Sequence, residues 1–204
     1  MFNIKSLFTR KTATSRSISG SRSGTAAVIL ALATAIAIPA YAALVKLDTA
    51  KSAVTIIFKQ MNVPVDAKFK KFSANIDYVA VKPEASKASV EIDLTSFDLG
   101  DPQYNQEVLK KEWFNTAQFP KASFVSTAMK QSATGKLDVS GKLTIKGRVL
   151  DVTFPLTVKK EGSGQVFDGS LPIKRLAFNI GEGEWKDTGM VADEVVIKFH
   201  VVTQ

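Results

Sequence analysis

From residue 43 to its C-terminus the chain alternates apolar and polar residues with a period of two, and that alternation limits the possible folds more than any motif does. Val54, Ile56 and Phe58 alternate with Thr55 and Lys59, with Ile57 out of phase. Phe72, Ala74, Ile76 and Tyr78 share one parity, as do Val90, Ile92 and Leu94. Leu137, Val139, Leu143 and Ile145 form a fourth such run, with Gly141 between them. Leu150 to Val158 and Val195 to Val201 repeat the pattern. Each run predicts a strand with one apolar and one wet face. Further runs at 65–70, 121–129 and 165–174 bring the number to eight or nine, spaced as in a meander. Lys82-Pro83-Glu84, Ala133-Thr134-Gly135, Lys146-Gly147 and Glu161 to Gly164 supply the turns. Pro155 and Pro172 lie inside runs and predict bulges or edge positions. So many one-faced antiparallel strands must pack as a sandwich or close into a barrel.

One segment departs from the period. Asp101 to Phe114 places Tyr104, Val108 and Trp113 near helical spacing, with Asp101 as N-cap and Pro102 in the first turn. A short helix over about 102–112 is expected across one end of the strands.

Residues 1–42 have a different character. Lys5, Arg10, Lys11, Arg16 and Arg22 stand among Ser and Thr with no acid, and Thr25 to Ile38 is an unbroken apolar run. Pro39-Ala40-Tyr41-Ala42 then puts small residues where a signal peptidase needs them. This is the layout of a secretory signal peptide, and the apolar run is short for a membrane span. Residues 1–42 are therefore expected to be cleaved, leaving 43–204 as one domain. The charge reading changes with it. The whole chain carries +8, but five basic and no acidic residues leave, so 22 basic and 19 acidic residues remain, a net of +3. A nucleic-acid partner loses its main support. An exported protein with no Cys must draw its stability from its core, and 162 residues suffice for one.

Chemistry-bearing residues are sparse. Zero Cys and one His rule out thiolate zinc, cysteine nucleophiles and multi-histidine metal sites. His200 falls on the outward parity of the last strand, where a surface histidine is the expectation. Gly181-Glu182-Gly183-Glu184 lacks the third glycine and following helix of a dinucleotide fingerprint. Asp98 with Asp101 and Glu182 with Glu184 are close enough in sequence for calcium or acid–base work, but solvated loop acids are the default. Lys70-Lys71 and Lys110-Lys111 read as solvated faces. Neither a catalytic residue nor a cofactor is expected. What stands out is Phe, with 13 in the chain and eleven after residue 42, mostly on strands. They either fill a core or line an apolar pore, since an eight-stranded barrel can do both.

Four stretches resemble the YceI-like family of exported lipocalin-like proteins. They are Asp48 to Val63 with Lys68-Phe-Lys-Lys-Phe72, the aromatic-rich Trp113 to Phe124, Val139 to Val152, and Ile173 to Gly181. Together they cover nearly all of 44–204. The resemblance implies an all-β fold, an eight-stranded antiparallel lipocalin-like barrel with a short helix, whose pore holds a long-chain polyisoprenoid. It also implies a periplasmic location and a homodimer. Two family histidines are absent, because Lys51 and Gln60 stand where the family commonly has them, so no role of theirs carries over. Arg175 matches the family's arginine in its seventh-strand motif.

The reading is thus an exported, non-enzymatic protein holding an isoprenoid-type lipid, polyprenyl or quinone-like, as carrier or buffer. Expected ligand contacts are Ile56, Phe58, Phe69 and Trp113, then Phe124, Leu143, Phe154 and Phe199. Arg175 joins them, with Lys51, Lys59 and Gln60 as further candidates for the polar end. At roughly 0.8 kcal/mol per buried CH₂, a five-carbon unit contributes about 3–4 kcal/mol, so a dry tunnel suffices. The competing reading is a structural or partner-binding barrel with a filled core, attached to an inner-membrane redox partner. An enzyme acting on a small apolar substrate ranks third.

Overall fold

The computed structural model describes residues 46–204; the signal peptide expected over 1–42 lies outside them. Ten strands form one antiparallel sheet. β1 (Ala53–Gln60), β2 (Val63–Phe69), β3 (Phe72–Asp77), β4 (Lys87–Asp93) and β5 (Phe97–Asp98) precede a helix, α1 (Pro102–Glu107). β6 (Lys121–Ala133), β7 (Lys136–Ile145), β8 (Arg148–Glu161), β9 (Gly164–Lys174) and β10 (Val191–Val202) follow. The order across the sheet is β3-β4-β6-β7-β8-β9-β10-β1-β2-β5. The sheet curls into a half-barrel with β3 and β5 at its edges.

The eight strands implied by the resemblance become ten. All nine alternating runs are strands, and the tenth is β5, which pairs only Lys68 with Asp98 and Phe69 with Phe97. Two residues cannot display a period. The expected helix is also shorter, ending at Glu107 rather than near 112. Asp101 caps it as expected, its Oδ1 accepting from the N–H of Gln103 at 2.7 Å and of Tyr104 at 3.3 Å. Residues 108–119 then wind through tight turns, with Asn115 in the left-handed region at φ 52°.

The turns fall where their residues predict. Lys146 (φ 48°) and Gly147 (φ 72°) form a two-residue hairpin loop between β7 and β8, a geometry matched to strand twist. Met61 (φ 50°) and Asn62 (φ 65°) make a similar loop between β1 and β2 without any glycine. Both prolines mark local edges. β8 pairs with β9 only from Leu156 onward, so Pro155 lies where β8 has β7 alone beside it. Pro172 pairs with Val196 of β10 but has no partner on β8. A missing N–H is tolerated at such positions.

Parity holds in packing. Leu137, Val139, Leu143 and Ile145 of β7 are all buried, as are Phe154 and Leu156 of β8. In β6 the register shifts between Ser126 and Ala128, which moves the inward face from Phe124 to Met129. Two glycines make room for rings. A Cβ on Gly169 would lie 2.0 Å from the Phe199 ring, its cross-strand partner, and one on Gly141 would lie 2.4 Å from Phe124.

α1 is tied to β5 through Asp98. Its carboxylate accepts from Lys70 Nζ at 2.9 Å, Asn105 Nδ2 at 3.1 Å and the Gly100 N–H at 3.1 Å. These donors, Lys70 first, hold the Asp98 carboxyl down at about 2 against the ordinary 3.8. The folded-state value lies below the unfolded one. Its stabilisation is therefore complete above the unfolded value and lost as pH falls from about 4 toward about 2. Asp98→Asn is expected to be less stable than wild type near neutral pH, with the gap closing across that acid window. Urea unfolding at several pH values checks this, and a gap independent of pH would show that the carboxylate's charge is not its source.

Candidate functional site

The inward faces leave two apolar chambers. The first, of about 130 Å³, is lined by Ile56, Phe58, Phe69, Trp113 and Ile173 among others, with Gln60, Tyr104 and Glu107 as its polar members beside Arg175. The second, of about 110 Å³, is lined by Val54, Phe124, Phe154, Phe199 and further aliphatic residues, with Tyr78 its one polar group. Ile92, Leu143 and Ile197 line both and form the waist between them. An apolar cavity of about 150 Å³ stays dry and takes up a benzene-sized molecule, so each chamber is of a size that hydrocarbon occupies and water avoids.

All nine residues named from the sequence line one chamber or the other. Ile56, Phe58, Phe69, Trp113 and Arg175 face the first, Phe124, Phe154 and Phe199 the second, and Leu143 both. In the second chamber three rings form a ladder, Phe124 to Phe154 at 5.4 Å and Phe154 to Phe199 at 5.2 Å, each edge to face. The ring of Phe199 reaches this position only because residue 169 is glycine. Gly169→Ala is expected to swing it into the chamber and to cost about 1–3 kcal/mol by overpacking. The check is a lower urea midpoint at unchanged slope.

Arg175 is not a free cation at a mouth, contrary to its candidacy for a ligand's polar end. It is 2% exposed. Nε donates to Ala192 O at 3.1 Å, Nη1 to Ile180 O at 2.8 Å and Gly181 O at 3.3 Å, and Nη2 to Trp185 O at 2.7 Å and Val191 O at 2.8 Å. All five N–H groups of the guanidinium are thereby spent on backbone carbonyls. Burial lowers its pKa from the ordinary value, opposed by nearby Asp193. It also stands 5.8 Å from the ring centre of Trp113, which in turn packs on Trp185 at 5.2 Å. Gly181, seen in the sequence only as a failed fingerprint, has a physical task here: a Cβ would lie 2.0 Å from Arg175 Nη1.

Lys146, read in the sequence only as a turn residue, is a second buried cation at 8% exposure. Its Nζ donates to Lys111 O and Asn179 O, both at 2.7 Å, and to Glu182 Oε2 at 2.9 Å. It joins residues 108–119 to residues 175–190 over the first chamber, as do the N–H groups of Gly181 and Glu182 on Glu112 O. Glu182 therefore serves an ion pair, and Lys146 holds its carboxyl below the ordinary carboxylate range. The other sequence candidates sit on the surface. Lys51 and Lys59 are exposed. His200 Nδ1 meets Asp168 Oδ1 at 2.6 Å across β10 and β9 on the outer face, half-exposed. Among the described residues no three His, Cys, Asp or Glu side chains gather as a metal site.

Known proteins resemble the chain in sequence and in fold. A UPF0312 protein of Pseudomonas putida (strain W619) is 34% identical over 98 residues, which is 48% of this chain and 51% of the relative. A UPF0312 protein of Shewanella oneidensis is 30% identical over 122 residues, 58% and 62% of the two chains. The matches thus span about half to three-fifths of these curated relatives. Among solved structures, BcnA of Burkholderia cenocepacia superposes with a TM-score of 0.77 at 52% identity, covering 78% of this chain and all 100% of BcnA. A polyisoprenoid-binding domain from Saccharophagus degradans shares the fold, with a TM-score of 0.65 at 18% identity over 79% and 99% of the two chains. Residues 45–203 match the YceI-like domain, and the chain belongs to the YceI-like family.

Proposed function

We propose that the protein is exported and holds an isoprenoid-type lipid, polyprenyl or quinone-like, in its two chambers, as a carrier or buffer. The observation that carries this is the pair of apolar voids sharing one waist inside an otherwise packed sheet. At about 24 cal/mol per Å³, an unfilled void of either size forfeits about 3 kcal/mol of stability. A chain that keeps two such voids in line gains that back when hydrocarbon fills them. The Saccharophagus degradans neighbour, described as a polyisoprenoid-binding domain, supports the same ligand class for this fold. The family and this neighbour favour a binding protein over an enzyme.

On this reading Ile56, Phe58, Phe69 and Trp113 contact the ligand in the first chamber, and Phe124, Phe154 and Phe199 in the second. Leu143 contacts it at the waist. Arg175 contributes its aliphatic stem, not its charge. The periplasm as destination rests on residues 1–42, and a homodimer on the family resemblance. An inner-membrane redox partner belongs to the filled-core alternative, which the two voids disfavour. The test is organic extraction of protein purified from its native host, followed by mass spectrometry. A stoichiometric isoprenoid-type lipid is the expected result, and repeated extracts without one would sink the proposal.

A further inference from the structure

We infer that a groove on the outer side of the sheet, at the corner between β2 and β3, is a docking surface for the phosphate headgroups of an anionic phospholipid bilayer. The groove, of about 520 Å³, runs between the start of β1 and that corner. Lys68, Lys70 and Lys71 line it, and no Asp or Glu of the described residues does. Ser96 holds the corner in place: its carbonyl accepts from the Lys70 N–H at 3.1 Å and its Oγ from the Lys71 N–H at 3.0 Å. Lys68 stands directly across from Thr55 on β1, and Thr55 in turn from Lys198 on β10, so the cationic row continues beyond the groove. All four lysines are exposed.

Charge decides the class of partner. Lys70 is paired with Asp98 at 2.9 Å, but Lys68, Lys71 and Lys198 enter no ion pair among the described residues. Asp66, two residues along β2 on the same parity as Lys68, lies outside the groove's lining. Two uncommitted ammonium groups in one groove, with a third beside it, repel one another and favour an anion among them. The Lys70-Lys71 pair alone is a solvated face; the fold adds Lys68 and Lys198 to it. The groove also has an apolar floor, because Val54 and Phe69 are buried beneath it and Phe72 is half-buried. Thr49 and Thr55 place hydroxyls among the lysines. A cationic rim over an apolar floor matches a phosphate joined to hydrocarbon, with lysine stems on the apolar part and their heads on the phosphate oxygens. A free phosphate gains nothing from Phe72. Nothing in this surface depends on what the chambers hold, so its test is separate from the lipid extract.

The experiment sediments protein purified from its native host with vesicles of phosphatidylcholine alone and of phosphatidylcholine with about one-third phosphatidylglycerol. Near an anionic surface each lysine contributes about fivefold in affinity. Wild type is therefore expected to favour the anionic vesicles by at least about 25-fold at low ionic strength, and to lose that preference as salt shortens the reach of the charges. Lys68→Gln combined with Lys71→Gln is expected to reduce the preference by about 25-fold. The matched control, Lys130→Gln with Lys136→Gln, removes the same charge from exposed lysines of β6 and β7 that do not line the groove. It is expected to change the preference by less than about twofold. The N-terminus is common to all three proteins, and thermal unfolding checks that each folds. A wild type with no preference for anionic vesicles, or a groove variant that loses no more than the control, overturns the inference. So does displacement by inorganic phosphate beyond that by chloride of equal ionic strength, which would assign the groove to a free anion.

Discussion

Arg175→Ala is expected to destabilise the protein by about 3–5 kcal/mol, among the largest losses any single substitution produces. The side chain is buried, and its five N–H groups satisfy five carbonyls spread from Ile180 to Ala192. Three of those carbonyls, on Ile180, Gly181 and Trp185, belong to the segment that leads from β9 back to β10 over the first chamber, and two, on Val191 and Ala192, open β10 itself. Each one left buried without a donor costs the desolvation of a peptide oxygen, in the range of about 1–3 kcal/mol before the segment relaxes. Relaxation is what keeps the total below the sum, because a loop freed from its clamp can turn some carbonyls to water. Arg175→Lys keeps the charge but replaces a planar fork by a compact ammonium with three donors, so it cannot reach carbonyls on both flanks. The lysine variant is expected to recover less than half of the loss. Urea unfolding of the three proteins measures this. A lysine variant as stable as wild type would show that the charge, not the fork, holds the segment.

That role was not legible in the sequence, and the reason is general. Arg175 finds its partners among backbone carbonyls, which every residue carries, so nothing in the residue types of 180–192 marks them as its acceptors. Gly181 was the only trace, and a glycine between an isoleucine and a glutamate suggests many things before a seat for a guanidinium. Lys146 was hidden in the same way, because a Lys-Gly pair reads as a hairpin turn and its side chain could equally have been solvated. The sheet, by contrast, was open to reading. Alternation marks a half-buried strand wherever it runs for several residues, and the nine runs long enough to show it are strands. β5 escaped because Phe97-Asp98 is too short for any period. The bulge at residues 126–128 is a place where parity misleads, since Met129 is buried on the opposite phase to Phe124. Where it holds, parity identifies the inward residues of a strand without saying how far the facing side chains fall short of touching. The two chambers are that shortfall, set by the curl of the sheet.

Phe154→Ala tests the shortfall directly. Phe154 is buried on β8 and touches the rings of Phe124 and Phe199 on either side, so it is the middle rung of the ladder in the second chamber. Truncation removes a ring's transfer energy and adds its volume to a void that is already about 110 Å³. Phe→Ala in a packed core costs about 3–5 kcal/mol, which lowers the melting temperature by about 10 °C in a domain of this size. In a chamber that is empty by design the flanking rings have room to lean inward, and Gly141 and Gly169 leave the backbone behind them unobstructed. The loss in delipidated protein is therefore expected near the lower end of that range. Ligand should then reverse part of it. A prenylated quinone at about a hundred times its dissociation constant stabilises a single-site protein by about 2.7 kcal/mol. The enlarged chamber admits a bulkier or more folded tail than wild type does. Melting curves of both proteins with and without the quinone give the result. The variant is expected to gain more from ligand than wild type gains, because the tail fills volume that protein once filled. An identical gain in both would mean that the tail never reaches Phe154 and ends at the waist formed by Ile92, Leu143 and Ile197.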